Sequence, residues 1–188
     1  ILETAGIRKF FSGPEYFTPD TNTLLGEVPE IKNFFVCCGL NSIGIGSGGG
    51  VGKVTAEWLI NGHINEDIFS YDIKRFQKFH SELGFIKERI TETLGDLYGM
   101  HWPFKQHRTS RDQKLTPYHD DMKKAGACFG VTGGYERPMW YATNGQKPEY
   151  EYSYNYQNWY PAVEYETKNT RENVGLFDLT AFSKYDLK

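Results

Sequence analysis

The sequence predicts an α+β chain made of three successive pieces, and three observations carry that reading. A short apolar run, Asn33 to Leu40, passes through glycines into a helical stripe that stops near Gly62. A second helical pattern runs from Asp72 to Met100, and a fresh helix start at Thr116 and Pro117 opens the last third.

Composition bounds the function. At 188 residues the chain can bury a sizeable core as one or two domains. A net charge of −3 gives no reason to expect nucleic acid or an acidic membrane surface as partner. No apolar run approaches the roughly 20 residues needed to span a bilayer. The chain opens on Ile1 with neither an initiator methionine nor a leader pattern, so it reads as an internal piece of something longer. Three cysteines, with Cys37 and Cys38 adjacent, make no disulfide framework, and a reducing compartment is expected. Both neighbours read as small core residues on a buried strand.

In chain order, IRKFF reads as a strand, Gly13-Pro14 and Pro19-Asp20 as turns, and TLLGEVPEIKN as holding a further short strand. Asn33 to Leu40 is the central strand. The stripe Val51, Val54, Trp58 then marks one face of a helix opening near Gly50, with Gly62 at its stop. Glycines at such a junction let main-chain N–H groups approach a ligand, and a helix start favours negative charge. A glycine-lined packing contact is the alternative. The phosphate loop of nucleotide hydrolases is excluded, because Ser47 stands where its first glycine belongs and Val54 where it needs a hydroxyl. Gly44, Gly46 and Gly49 satisfy G-x-G-x-x-G, but Asp67, about 20 residues on, ends no buried strand.

Asp72 can cap a helix carrying Ile73, Phe76 and Phe79, and Ile86, Ile90, Leu94 and Leu97 form a second stripe beyond a break at Gly84. The charges of this region read as solvated helix faces. His101 and His107 match no common metal-ligand spacing, so no metal is assigned. Lys105, Arg108, Arg111 and Lys114 form a basic patch that reads as a domain contact. Thr116 is the N-cap expected next, with Asp120 and Asp121 at the positive end of the dipole. Gly175 should end a helix starting near Pro161, and Leu176 to Leu187 alternates like a strand with a turn. The tyrosine-rich link Tyr150 to Tyr160 reads as surface packing, since no basic stripe accompanies it.

GPEYFTPD, LLGE and FVCCGLNSIGIGSGGGVGK together resemble the C-terminal part of the flavin domain of the dimethylglycine and sarcosine dehydrogenase family. TPYHDDMKKAGACF, GGYERPMWY and RENVGLFDLTAFSKYDL are similar to the opening of the aminomethyltransferase fold, the glycine-cleavage T-protein type that binds tetrahydrofolate. The resemblance implies the tail of an amino-acid oxidase-type FAD domain over 1–70, a central helical module over 71–115, and the start of a folate domain over 116–188. It implies FAD against Leu40, Asn41, Ser42, Ile43, Gly44 and Ile45, mostly through backbone groups, with most of the FAD site outside this chain. Glu15 would face the substrate, or else is an exposed turn carboxylate. The cysteine that binds flavin covalently in sarcosine oxidase relatives falls on Gly13, which excludes attachment through this segment. A substrate-binding lysine of some oxidases falls on Gly46. The catalytic residues are unassigned, and the transferase family's acidic residue would lie beyond Lys188.

For the intact protein the resemblance implies oxidative N-demethylation of a methylated glycine, dimethylglycine or sarcosine, with the one-carbon unit captured by tetrahydrofolate. It also implies a cytoplasmic location in a bacterium or the mitochondrial matrix in a eukaryote. A regulatory subunit of pyruvate dehydrogenase phosphatase resembles the same arrangement and is the competing, non-catalytic reading. Strand edges left bare in a piece of this kind predict homo-oligomers.

Overall fold

The computed structural model describes residues 2–143 and 145–187; Ile1, Asn144 and Lys188 lie outside the described residues. The chain divides into two compact units, Ile1–Lys74 and Arg75–Lys188.

In the first unit, β1 (Leu24–Glu27) and β2 (Phe35–Cys38) pair antiparallel, Leu24 opposite Cys38 and Glu27 opposite Phe35. Asn33, at φ 64°, turns the hairpin, and its N–H donates to the Glu27 carboxylate at 2.7 Å. Helix α1 (Gly44–Asn61) packs on this ribbon through Trp58, whose ring meets Phe35 edge to face at 5.8 Å. Gly26 has φ +110°, and a Cβ there would sit 2.5 Å from the Trp58 ring. Backbone geometry and packing therefore both demand glycine at that position. Leu25, buried on β1, receives its second pairing from the Tyr71–Asp72 segment, where its N–H donates to Tyr71 O at 2.9 Å.

Several expectations for this unit are corrected. IRKFF forms no strand, and Phe10 and Phe11 are exposed. The central strand spans four residues, not eight, and Cys37 and Cys38 are exposed instead of buried. A two-stranded ribbon covered by one helix leaves half of its side chains without a second layer. Helix α1 begins at Gly44, six residues before the expected opening. Its first turns are glycine-rich, so they carry no apolar periodicity to read, and each glycine weakens the helix by about 1 kcal/mol relative to alanine. Val51, Val54 and Trp58 do form the half-buried face. Gly62, at φ 74°, ends the helix with its N–H on Trp58 O.

The second unit opens with two short 3-10 turns, Ile73–Arg75 reaching across its boundary and Lys78–Ser81, in place of the expected first helix. Asp72 accepts the Lys74 N–H at 2.8 Å and so caps the first of these short turns instead of the expected helix. Helix α2 (Leu83–Asp96) contains Gly84 in its first turn, so the break falls earlier, at Glu82. Its buried residues are Phe85, Arg89 and Thr93, while Leu94 of the expected stripe is exposed. The stripe is displaced because α2 faces the polar loop 105–114, which offers hydrogen-bonding groups to Arg89 and Thr93's neighbours instead of an apolar surface. Helix α3 (His119–Lys124) starts after Tyr118, with the His119 N–H on Thr116 O, so Thr116 closes the preceding turn and is no N-cap.

Strands β3 (Ala127–Thr132) and β4 (Tyr135–Tyr141) form a hairpin across Gly133-Gly134, both at positive φ. Cys128 of β3 and Trp140 of β4 build a small core with Ala162 of α4 (Tyr160–Glu172), flanked by Tyr150 and Trp159. Burial pushes the Cys128 thiol up to about 11, so it stays an inert thiol at neutral pH. Helix α4 ends at Asn173, two residues before Gly175. Residues 176–187 form no strand, because no neighbouring strand offers them a ladder; Leu176 and Leu187 are fully exposed. Among the described residues no helix is long and apolar enough to cross a membrane, and no group of three or more His, Cys, Asp or Glu residues could hold a metal.

Candidate functional site

In the first unit, the turn after β2 is held in a costly conformation. Asn41 and Ser42 have φ 47° and 68°, a left-handed backbone that non-glycine residues adopt rarely. Buried Thr18 supplies the restraint. Its N–H donates to Asn41 Oδ1 at 2.8 Å, its hydroxyl is shared between Asn22 O at 2.9 Å and that Asn41 oxygen at 3.2 Å, and Asn41 Nδ2 donates to Gly39 O. A Cβ on Gly39, at φ +67°, would meet the Thr18 methyl at 2.6 Å. Thr18 and Asn41 thus close FTPD against the glycine strip, a partnership across 23 residues that no local pattern reveals.

A hollow of about 510 Å³ lies beside this turn, with Gly13 to Tyr16 on one wall and Leu40, Asn41, Ser42, Gly44 and Ile45 on the other. Of the six residues assigned to the cofactor, only Ile43 does not line it. Glu15 does line it and is exposed there. The helix start has no side-chain cap; Ile43 N–H donates to Leu40 O in the turn before it, and Ser47 N–H to Ile43 O opens the helical ladder. Among the described residues, the N–H groups of Gly44, Ile45 and Gly46 between them have no backbone acceptor. Gly46, Gly48 and Gly49 face open space, where a Cβ would meet nothing within 4 Å. An open ribbon with free donors at the positive end of an 18-residue helix fits the electron-rich edge of a flavin ring.

The second unit holds a buried polar network. Glu92 of α2 has a side chain 3 % exposed, and its carboxylate accepts the N–H groups of Arg108 and Thr109, each at 2.8 Å, and the Thr109 hydroxyl. Burial alone would push this carboxyl up; those hydrogen bonds outweigh it and hold it below the usual range. Arg89 donates to Thr109 O and stacks on Phe85. Glu136 of β4, 1 % exposed, accepts Arg111 Nε at 2.7 Å, Arg111 Nη2, and the Asp112 N–H at 2.9 Å. Burial raises its pKa, and Arg111 with the Asp112 N–H lowers it further than burial lifts it. Burial and Arg89 hold His107 below the usual imidazole range.

This network corrects the reading of solvated charges on the helical module. The basic patch also resolves into separate partnerships: Lys105 with Asp96 at 2.7 Å, Arg108 with Glu92 at 3.8 Å, Arg111 with Glu136, and Lys114 with Gln77 at 3.0 Å and over the Tyr135 ring.

Comparison with known proteins finds similarity to two domain types. The model of the FAD dependent oxidoreductase central domain matches residues 61–116, and that of the GCVT N-terminal domain matches residues 118–188. Arg111 therefore reaches from one matched stretch to Glu136 in the other. The chain is 44 % identical over 186 residues, 99 % of its length, to 4-methylaminobutanoate oxidase (formaldehyde-forming) of Paenarthrobacter nicotinovorans, covering 23 % of that protein. It is 37 % identical over 155 residues, 82 % of its length, to mitochondrial sarcosine dehydrogenase of Homo sapiens, covering 17 %. It is 32 % identical over 189 residues, 99 % of its length, to the mitochondrial pyruvate dehydrogenase phosphatase regulatory subunit of Mus musculus, covering 22 %. The chain spans about a fifth of the length of these curated relatives. With both domain types in this order, and relatives at 37–44 % identity along most of this chain, it is similar to a section of the dimethylglycine and sarcosine dehydrogenase family.

Proposed function

We propose that this chain is a section of an FAD-dependent enzyme that oxidatively demethylates an N-methylated amino acid and passes the one-carbon unit to tetrahydrofolate. Dimethylglycine and sarcosine are the first substrates to try, followed by 4-methylaminobutanoate, named in a relative. The observation that carries the reading is the hollow between Gly13–Tyr16 and the open N–H groups of Gly44 and Ile45.

Bound FAD would supply the redox chemistry, accepting a hydride from the substrate's N-methyl carbon. The chain's own residues have three tasks. The amides at the start of α1 offer hydrogen bonds and partial positive charge to the side of the flavin that gains electron density. Thr18, through Asn41, keeps those amides in place before any ligand arrives. Glu15, on the opposite wall, presents a carboxylate to the substrate's cationic amine. In a eukaryote the protein would work in the mitochondrial matrix, as the names of its mitochondrial relatives suggest, and in a bacterium in the cytoplasm.

The test uses the purified full-length protein with each N-methylated amino acid, following reduction of an electron acceptor and assaying formaldehyde with and without tetrahydrofolate. Substrate-dependent reduction with folate-dependent loss of free formaldehyde is the expected result; no reduction with any of them refutes the reading. A second reading, a non-catalytic regulatory protein, draws on the 32 % identical regulatory subunit. It predicts no turnover and binding to a partner protein instead.

A further inference from the structure

We propose that Arg111 and Glu136 are positioning residues that fix the GCVT-type stretch against the oxidoreductase central stretch, so that the one-carbon unit released by oxidation reaches folate before water. This inference rests on the function proposed above.

The loop 105–114 closes the oxidoreductase central stretch just before the GCVT-type stretch begins, and its construction is unlike that of a linker. Linkers between loosely coupled domains are exposed and carry few cross-links. Here the loop is gripped from both sides. On one side Glu92 holds the N–H groups of Arg108 and Thr109, and Arg89 holds Thr109 O. On the other, Glu136 takes both donors of the Arg111 fork and the Asp112 N–H, while Arg111 also donates to His107 O and Phe129 O, each at 3.1 Å. A further tie joins the stretches away from the loop: Gln77 donates to Gly133 O at 2.8 Å in the β3–β4 turn and accepts from Lys114.

Phe104, Ser110 and Asp112 all have positive φ, at 60°, 47° and 60°. Such residues persist only where their surroundings over-determine them. A buried ion pair adds little stability over an apolar pair of the same volume. Its two-pronged geometry does fix direction, which an apolar contact cannot do equally well.

The step whose outcome is at stake balances in both branches. After hydride loss the substrate carries N⁺=CH₂. Water adds to that carbon and the C–N bond breaks, giving formaldehyde and the demethylated ammonium. Alternatively, two folate nitrogens bond to the carbon and lose two protons, one of which goes to the departing amine and one to solvent.

The experiment compares the full-length protein with Glu136→Gln, and with Arg111→Lys as the second variant should the first fail to fold. Three readouts are taken: acceptor reduction, the ratio of free formaldehyde to folate-bound product at saturating folate, and hydrogen exchange of the Asp112 amide. We expect unchanged reduction, faster Asp112 exchange, and a ratio raised by up to about a hundredfold, the loss that a ~1 Å displacement of reacting groups can produce. A normal ratio despite faster Asp112 exchange overturns the positioning role, as does reduction falling in parallel with folate product. No folate product from the wild type refutes the transfer reading itself, and the positioning role with it.

Discussion

Replacing Arg111 by Met removes the fork that neutralises Glu136 and leaves a carboxylate with 1 % of its residue surface exposed. Two charge-assisted hydrogen bonds to Glu136 disappear, at about 1.5–3 kcal/mol each, and only the Asp112 N–H remains on that carboxylate. Breaking a buried pair from one side costs about 3–5 kcal/mol, which agrees with that count. Since a domain has about 5–15 kcal/mol in all, the variant should lose about a fifth of its stability or more. Urea unfolding at pH 7, followed by the fluorescence of buried Trp140, measures it.

The same variant carries an internal control. Without its partner, Glu136 is lifted by burial, which the Asp112 N–H only partly offsets, so lowering the pH protonates it and the cost of the substitution shrinks. Replacing both residues by Met should recover most of the loss, because a well-packed apolar pair is about as stable as a buried ion pair. A single variant that loses under about 1 kcal/mol, or a cost independent of pH, refutes this account of the pair.

Five further outcomes are expected. Gly26→Ala forces a Cβ against Trp58 at φ +110° and should lower stability by about 1–3 kcal/mol in thermal unfolding, more than alanine at Gly48, which faces open space. Thr18→Ala should weaken FAD affinity measured by titration while Thr18→Ser, which keeps the hydroxyl donor, largely restores it. Glu15→Gln should raise KM for a cationic N-methylated substrate and leave kcat nearly unchanged. Stability should fall on acidification in two stages. His107, depressed in the fold, contributes stability above its unfolded value that is lost from about pH 6.5 downward. Glu92 and Glu136, also depressed, contribute stability present above the ordinary carboxylate value and lost as pH falls through their folded values. The bare edge of β2 and exposed side chains such as Phe10, Ile60 and Leu176 should drive the 188-residue chain to associate, seen as species larger than a monomer in size-exclusion chromatography.

What could be read from the sequence depended on how local the cause was. Val51, Val54, Trp58 and Gly62 record one helix face and its stop, and the structure keeps both. The true start of α1 was invisible because glycines leave no periodic trace. Thr18 bonding Asn41, and Arg111 bonding Glu136, are separated by 23 and 25 residues, and their role comes from burial that no neighbouring residue announces. Charges on α2 look solvated by pattern because a buried Glu92 and an exposed Glu88 are the same letter. Cys37 and Cys38 mislead in the opposite direction: a strand-like apolar run implies two covered faces, and this ribbon has one helix over it.

Amide hydrogen exchange at Gly44, Ile45 and Gly46 of the full-length protein, compared before and after saturation with FAD, bears most directly on the flavin assignment. Slowed exchange at these three positions, with Gly48 and Gly49 changed less, is the predicted result. Exchange at Gly44 to Gly46 that is the same with and without FAD, in a protein whose spectrum shows the flavin bound, contradicts it.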